Sequence, residues 1–474
     1  MSRTYFVLKS IADFAPGAFE NTAMEEEALL LGRSGISYLP SGCYTSPPFS
    51  FSGVLKVIPC WNADTPQGTA VETQVRVACR GQWSKWFSFG KWSPFIERAT
   101  PPMQQDELAH TEGEAIVLNE GVIPADMVQA RIFLYSDDSA VSPQVRLLGV
   151  SGVLRQAEDN KDGDGDCLLE VPRYSCLVRD PAIAARISSA TSLTMMMNRW
   201  GEDALPEEVA RSLYDYGTGR FGNMSFLTAG IGGFGYECYL RYASVGFLRK
   251  ELRHGYAVAV LVRYRTNFLE NEEAESSPLP VLDQAVVDSE GHFVVLRGFL
   301  REENEDWVVV NDPMAHQNDE VERKIALSKF KEIYMGLCIV LRKGSKYAGS
   351  AKPTRLMAEL KTESNGVRLL YKGEVLFPSE GETEKSSRTT VCFTLPEKMV
   401  FASAAQKKFY YMVPGKKSDD SFRFFKEAAG EKVCFYWIGP YGTTYVAEKA
   451  IPRSFEEKEP EDGFLETEKS KDEG

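Results

Sequence analysis

The sequence is poor in histidine, with only four among 474 residues, and its nine cysteines show no C-x-x-C spacing. Structural zinc sites are built from closely spaced cysteines and histidines, so we expect no zinc site. An odd number of scattered cysteines in so long a chain also argues against a disulfide framework, and we expect most of them to be reduced and buried. Nothing in the sequence implies a metal, nucleotide or redox cofactor.

Two further absences exclude classes of partner. Acidic residues outnumber basic ones by 67 to 54, and the net charge of −13 opposes binding to the phosphates of nucleic acid. No apolar run approaches the roughly 18 residues of a membrane span. The N-terminus also lacks the long apolar segment of a secretory signal, so we expect a cytoplasmic location for the chain as given. The alternative is a secreted protein, if the start of the sequence as given is trimmed.

The length predicts about three domains, and a hydrophobic content of 43% is ample for their cores. Residues 1–156 carry short alternating apolar runs between turn residues, which favours an N-terminal antiparallel β-sandwich. Residues 157–167 are rich in carboxylates and glycine and are read as an acidic linker. A calcium loop is the poorer interpretation, because Leu169 occupies the place of the final glutamate ligand and no helices are predicted on either side.

The remainder divides into three parts. In residues 168–345 helical patterns precede antiparallel strand patterns, which indicates a central α+β domain. Residues 346–453 alternate again and predict a C-terminal β domain. Residues 454–474 are strongly acidic with almost no apolar content, and we expect a disordered acidic tail.

A predicted β-hairpin carries the most informative pair of residues. The segments Gly291–Gly298 and Trp307–Pro313 each contain a β-branched apolar run, and the residues between them are polar, as is typical of a turn. Folding the chain there places His292 near Asp312 across the pair. A histidine oriented by a carboxylate is the base of a nucleophilic hydrolase.

Five short motifs occur in order through the middle of the chain: Val171-Pro172-Arg173-Tyr174-Ser175, Ser188-Ser189-Ala190-Thr191-Ser192-Leu193-Thr194-Met195, Gly222-Asn223 with Thr228-Ala229 and Gly235, Gly291-His292, and Asn311-Asp312-Pro313. In this order, residues 168–343 resemble the papain-like cysteine peptidases of the bacteriocin-processing, double-glycine type, in their stand-alone bacterial branch. The resemblance implies a papain-like fold for the central domain, with His292 and Asp312 in the family's catalytic pair.

Two positions depart from the family that the chain resembles. Ser188 stands where the family has its nucleophilic cysteine, and Cys176 stands where it has the oxyanion glutamine. A helix N-terminus and an imidazolium can lower the pKa of a thiol enough to form thiolate, whereas a serine hydroxyl needs His292 as a true general base. Loss of an oxyanion donor typically costs about 2.7–4 kcal/mol of transition-state stabilisation. Both departures predict impaired peptidase activity.

Each candidate residue also has a structural explanation. Ser188 suits the N-cap of the predicted helix, and Cys176 suits a small buried position rather than a displaced nucleophile. His292 can be either a relic or a working base. His254, at a predicted helix end, is explained by the helix dipole.

Three functions follow from these observations. The first is an impaired peptidase-like protein that binds a peptide, or a peptide-like cell-wall fragment, in the former active-site cleft. The second is an active peptidase or amidase that uses Ser188, His292 and Asp312. The third is a module that binds glycans or a protein through the β domains, and it predicts an exposed row of tryptophans, namely Trp61, Trp83, Trp86 and Trp92.

Overall fold

A computed structural model describes residues 4–153, 165–267, 279–283 and 285–343, and in the C-terminal part residues 355–363, 366–372, 374–375, 390–394, 409–411, 432–439 and 443–450. The chain is mostly β-structure and has multiple domains. The predicted tail and all but the last three residues of the predicted acidic linker lie outside the described residues. None of the described helices is long and apolar enough to cross a membrane.

The N-terminal part consists of strands and one short helix. In chain order these are β1 Tyr5–Leu8, α1 Ile11–Phe14, β2 Ala18–Glu20, β3 Thr22–Glu25, β4 Ala28–Leu31, β5 Arg33–Ser34, β6 Ser37–Tyr38, β7 Ser41–Thr45, β8 Phe49–Val54, β9 Lys56–Asp64, β10 Thr69–Cys79, β11 Gln82–Trp83, β12 Phe87–Trp92, β13 Ala109–Glu112, β14 Ala115–Leu118, β15 Ala125–Ser136 and β16 Gln144–Val153.

These strands form two seven-stranded antiparallel sheets, one in the order β13-β14-β9-β16-β4-β3 with β1 beside β16, the other in the order β11-β10-β15-β7-β2 with β12 beside β10 and β8 beside β15. The sequence of β10 is typical of a strand with one buried face. Every second residue from Thr69 to Val77 is buried, so one face of the strand contributes to the core and the other does not. Trp61 and Trp92 are fully buried and supply large apolar surfaces to that core.

The central part combines helices with one sheet. Its elements are β17 Cys167–Leu168, a 3-10 helix Ala184–Arg186, α2 Ser188–Asn198, α3 Pro206–Ser212, α4 Met224–Gly233, β18 Tyr236–Tyr242, α5 Val245–Arg253, β19 Val258–Tyr264, β20 Ser289–Glu302, β21 Glu305–Asn311, β22 Glu322–Ala326, α6 Leu327–Ile333 and β23 Tyr334–Lys343. The sheet is antiparallel in the order β18-β23-β19-β20-β21-β22, with β17 on β20. The predicted hairpin is confirmed as β20 and β21, which pair Val295 with Asn311.

The C-terminal part is described as strands alone: β24 Arg355–Met357, β25 Glu359–Glu363, β26 Gly366–Tyr371, β27 Glu374–Val375, β28 Thr390–Thr394, β29 Phe409–Tyr411, β30 Lys432–Ile438 and β31 Thr444–Ala450. Five of them form a sheet in the order β24-β31-β30-β28-β29. Arg355 joins this part to the central part, because its Nε and one Nη lie 2.9 Å from the two carboxylate oxygens of the buried Glu208 on α3. This is the bidentate geometry that favours arginine.

The N-terminal sheets contact the central part through Asn62 on β9. Its amide nitrogen donates to the carbonyls of Thr228 on α4 and Cys238 on β18, and its amide oxygen accepts from the Cys238 N–H at 3.0 Å. A Cβ on Gly232 would lie 2.5 Å from the Asn62 side chain, so glycine is required where α4 crosses β9. Glycine weakens a helix, and Asn223 offsets part of that cost as the N-cap of α4.

Asp215 forms a second polar junction between the two parts. Its carboxylate accepts from the backbone N–H and hydroxyl of Thr100 at 2.9 and 2.6 Å, from the Thr218 hydroxyl at 2.8 Å and from the Asn223 amide at 2.9 Å. Burial alone raises the pKa of a carboxyl group, but these hydrogen bonds, led by those from Thr100, hold the pKa of Asp215 below its usual value. The ionised carboxylate therefore connects the two parts.

We expect Asp215→Asn to lower the free energy of unfolding at pH 7 by about 3 kcal/mol, because several buried donors lose a charged acceptor. Asp126→Asn, at an exposed carboxylate, is the matched control. A depressed pKa stabilises the folded state above the unfolded-state pKa, near 4, and that stabilisation is lost as the pH falls. Urea unfolding should show an Asp215→Asn deficit that is constant from pH 7 to about pH 5 and shrinks as the pH falls below about 4. A pH-independent deficit would contradict this account.

Candidate active site

Four neighbouring strands each place one polar side chain at the same point of the central sheet. Tyr264 ends β19, His292 lies near the start of β20, Asp312 directly follows β21, and Arg323 lies in β22. Because β19, β20, β21 and β22 are adjacent in the sheet, these side chains meet although they are far apart in sequence.

The histidine and the carboxylate are hydrogen-bonded. His292 Nε2 lies 3.1 Å from Asp312 Oδ1, which agrees with the proximity predicted from the hairpin. The Tyr264 hydroxyl donates to Asp312 Oδ2 at 2.7 Å and lies 3.3 Å from His292 Nε2. The other ring nitrogen of His292, Nδ1, lies 2.8 Å from Ser289 Oγ. The imidazole is therefore held at both nitrogens.

Asp312 is a buried negative charge. Burial alone raises the pKa of this carboxyl group, but the His292 imidazole, the Arg323 guanidinium and the Tyr264 hydroxyl outweigh burial and hold its pKa well below the usual range. Arg323 Nε is 3.4 Å from Oδ2, and the backbone N–H of Met314 donates to Oδ1 at 2.9 Å. Burial and the Asp312 charge raise the pKa of Tyr264 well above its usual value, so this phenol remains a donor.

Ser188 is the first residue of α2, and the N-cap is Ile187, which makes no side-chain cap. The interpretation of Ser188 as the helix cap is therefore wrong: the helix begins one residue earlier than a serine cap requires. The Ser188 side chain is half-buried. In the part of the chain that the structure describes, no hydrogen bond joins it to His292, whose ring contacts Ser289, Tyr264 and Asp312 instead.

Cys176 lies beside the Asp312 cluster rather than on α2. Its backbone N–H donates to the carbonyl of Pro313, the residue after Asp312, and its thiol contacts the Met314 sulfur at 3.5 Å. The side chain is completely buried. Burial, followed by the negative charge of Asp312, raises the pKa of the Cys176 thiol to about 12. This thiol is protonated at neutral pH.

Two buried polar side chains, Asn311 and Ser192, hold the separate motifs together. The Asn311 amide donates to the carbonyls of Val171 and Pro172 at 3.3 and 3.0 Å, which fixes the segment before Cys176 against β21. The Ser192 hydroxyl donates to the Phe293 carbonyl at 2.6 Å, which fixes α2 against β20. The start of α2, the Cys176 segment and the His292 strand are thereby assembled in one region.

Comparison with known protein families gives two matches. Residues 5–152 match the family model for the Peptidase C39 N-terminal domain, and residues 168–337 match that for the Peptidase_C39 like family. The matches support a C39 peptidase-like family for this chain. No curated protein matches it. The match over 168–337 covers the candidate site from Cys176 to Arg323, and the peptidase-related function it supports rests on that region.

Three residues of the candidate site were not singled out in the sequence. Tyr264 and Arg323 each lie between two charged residues in the sequence, so the sequence pattern does not mark either of them as a site residue. Ser289 precedes the Gly-His motif and looks like an ordinary loop residue. His110, for which the sequence suggests no partner, bonds Asn119 through Nδ1 at 2.8 Å, within the N-terminal sheets.

The predicted tryptophan row is divided between core and surface. Trp61 and Trp92 are buried, whereas Trp83 and Trp86 are half-buried. Arg76 lies 4.5 Å from the centroids of both Trp83 and Trp86, and Arg131 lies 4.4 Å from the centroid of Trp86. Both guanidinium groups are thus within cation–π distance of Trp86, which accounts for this tryptophan without a bound sugar.

We expect Asp312→Asn to lower the free energy of unfolding by about 3–5 kcal/mol, because buried Arg323 loses this charged partner. Asp319→Asn, at an exposed carboxylate on the same loop, is the matched control and should change stability by less than about 0.5 kcal/mol. Urea unfolding at pH 7 measures both. Equal effects of the two variants would contradict a buried charge cluster.

Cys176 should resist alkylation in the native protein. A thiol with a pKa of about 12 is thiolate in only about one molecule in 10⁴ at pH 8, and this one is also inaccessible. The partly exposed Cys167 is the internal control. Iodoacetamide treatment followed by peptide mapping should modify Cys167 first and Cys176 only after denaturation. Rapid modification of native Cys176 would argue for a reactive thiol.

Proposed function

We propose that this protein is a peptidase-related protein that has lost papain-type catalysis and binds a peptide or peptide-like ligand in the former active-site cleft. In this proposal residues 1–156 are a β-sandwich domain, residues 168–345 a papain-like domain and residues 346–453 a β-rich domain. The C39 matches support a peptidase-related function. The loss of catalysis and the ligand are our inference.

The observation that carries the proposal is the position of Ser188. It begins α2, where the family that the sequence resembles has its nucleophile, yet no hydrogen bond connects its hydroxyl to His292 among the described residues. A serine nucleophile needs a general base within about 2.6–3.2 Å of its hydroxyl. Without that contact the hydroxyl of Ser188 is a weak nucleophile.

Cys176 adds a second reason. A buried thiol contacting the Met314 sulfur is a poor hydrogen-bond donor, so it is a weak replacement for an amide in an oxyanion hole. Removing one oxyanion donor typically lowers kcat by about 10²–10³. Its own protonated state makes Cys176 a poor nucleophile as well.

The features that suit peptide binding remain. The hydrogen bond from Ser192 to Phe293 keeps α2 against β20, and no side chain caps the first turn of α2. Backbone N–H groups in an uncapped first turn lack intrahelical partners and carry the positive end of the helix dipole. They suit the carbonyl oxygens or terminal carboxylate of a bound peptide.

The test uses one mixed peptide library with the native protein, Ser188→Ala, Ser188→Cys and the neighbouring control Ser189→Cys. We expect the native protein to give no cleaved products by mass spectrometry, while affinity capture retains a subset of peptides. We expect Ser188→Cys, and not Ser189→Cys, to gain at most slow cleavage, because a thiol can react where a hydroxyl does not.

Two results would overturn the proposal. Cleavage by the native protein that disappears in Ser188→Ala would establish a working hydrolase based on Ser188, His292 and Asp312. If the native protein retains no peptide at millimolar concentration, the proposed peptide binding is wrong. Binding of a glycan or a protein by the β domains would then be the leading account.

A further inference from the structure

Ser289 contacts the side of the His292 ring that faces away from Asp312. It is the first residue of β20, three positions before His292, and its side chain is half-buried. Its Oγ lies 2.8 Å from His292 Nδ1, while Nε2 on the other side of the ring lies 3.1 Å from Asp312. A hydroxyl, an imidazole and a carboxylate thus form one hydrogen-bonded series.

The neighbouring groups fix the direction of the protons in this series. Asp312 is ionised and accepts from the Tyr264 hydroxyl at 2.7 Å, so in neutral His292 the proton on Nε2 is the one that faces the carboxylate. Nδ1 then carries a lone pair. The backbone N–H of Gly291 donates to Ser289 Oγ at 3.2 Å, which leaves the hydroxyl proton of Ser289 to donate to Nδ1.

We propose that Ser289 is a nucleophile activated by His292 and oriented through Asp312, and that it accepts acyl groups from small activated esters. Ser289 Oγ forms a bond to the acyl carbon while its proton passes to Nδ1. The bond to the leaving alcohol then breaks and the alcohol takes that proton. Water enters by the same route, which releases the acid and restores the serine hydroxyl.

The chemistry of the surroundings selects esters with good leaving groups. The Gly291 N–H is the amide donor that the structure places next to Ser289 Oγ, and it already donates to the nucleophilic oxygen itself. An amide substrate requires strong oxyanion stabilisation. An aryl ester or a phosphonofluoridate requires less, because its leaving group, a phenolate or fluoride, departs more readily. This inference goes beyond the proposed peptide binding and depends on neither its success nor its failure.

The experiment treats the full-length protein with a fluorophosphonate probe and locates the adduct by peptide mapping. In this reaction Oγ bonds to phosphorus, fluoride leaves, and the serine proton passes through His292 to solvent. We expect an adduct at Ser289, its absence in Ser289→Ala, and a rate at least about 100-fold lower in His292→Gln. Ser139→Ala, at an exposed serine of the N-terminal part, is the control and should label as the native protein does.

Turnover of p-nitrophenyl acetate gives a second measurement, and it should fall in Ser289→Ala in parallel with labelling. Native protein without an adduct at Ser289, or labelling of Ser289 that is unchanged in folded His292→Gln, would overturn the inference. An adduct at Ser188 instead would contradict both this inference and the proposed loss of papain-type catalysis. Peptide retention in the library experiment is a separate readout and does not depend on Ser289.

Discussion

The burial of the Asp312 charge constrains the whole central sheet. Moving a carboxylate out of water costs free energy of folding unless charged and hydrogen-bonding partners surround it. Here Tyr264, His292 and Arg323 reach it from three other strands of the sheet, and the Met314 N–H reaches it from its own loop. Their arrangement requires the register of all four strands to be correct at once, because a slip of one residue would turn any of these side chains to the opposite face.

A second constraint joins this sheet to the N-terminal part. Asn62 satisfies backbone groups of α4 and β18, and Asp215 collects donors from Thr100 and Asn223. Each is a buried polar group that is satisfied only when both parts of the chain are in place. The hydrophobic core is correspondingly continuous from the N-terminal sheets into the central sheet. The two regions that match separate C39 families therefore depend on each other for stability.

These constraints explain how a hydrolase-like arrangement can persist while its chemistry changes. The His292–Asp312 pair is part of the charge cluster that stabilises the sheet, so its presence does not require catalysis by Ser188. A change at the start of α2 leaves that cluster intact, since α2 is held to β20 through Ser192 further along the helix. The imidazole nitrogen that faces away from Asp312 is then available to Ser289.

The sequence by itself determined the elements that depend on local pattern. Short alternating apolar runs predicted the β-structure of the N-terminal part, helical patterns followed by strand patterns predicted the helices and sheet of the central part, and the polar turn between two apolar runs predicted the hairpin that brings His292 to Asp312. α4 was not predicted, because its glycines oppose helix formation and are explained only by tertiary contacts, that of Gly232 with Asn62 and that of Gly230 with Leu213. Tyr264, Arg323 and Ser289 became site residues only in the tertiary structure, because the register in which β19, β20, β21 and β22 pair places them around one imidazole and one carboxylate. Periodicity reports which face of a strand is buried, whereas the partner of a buried polar side chain depends on which strands are neighbours.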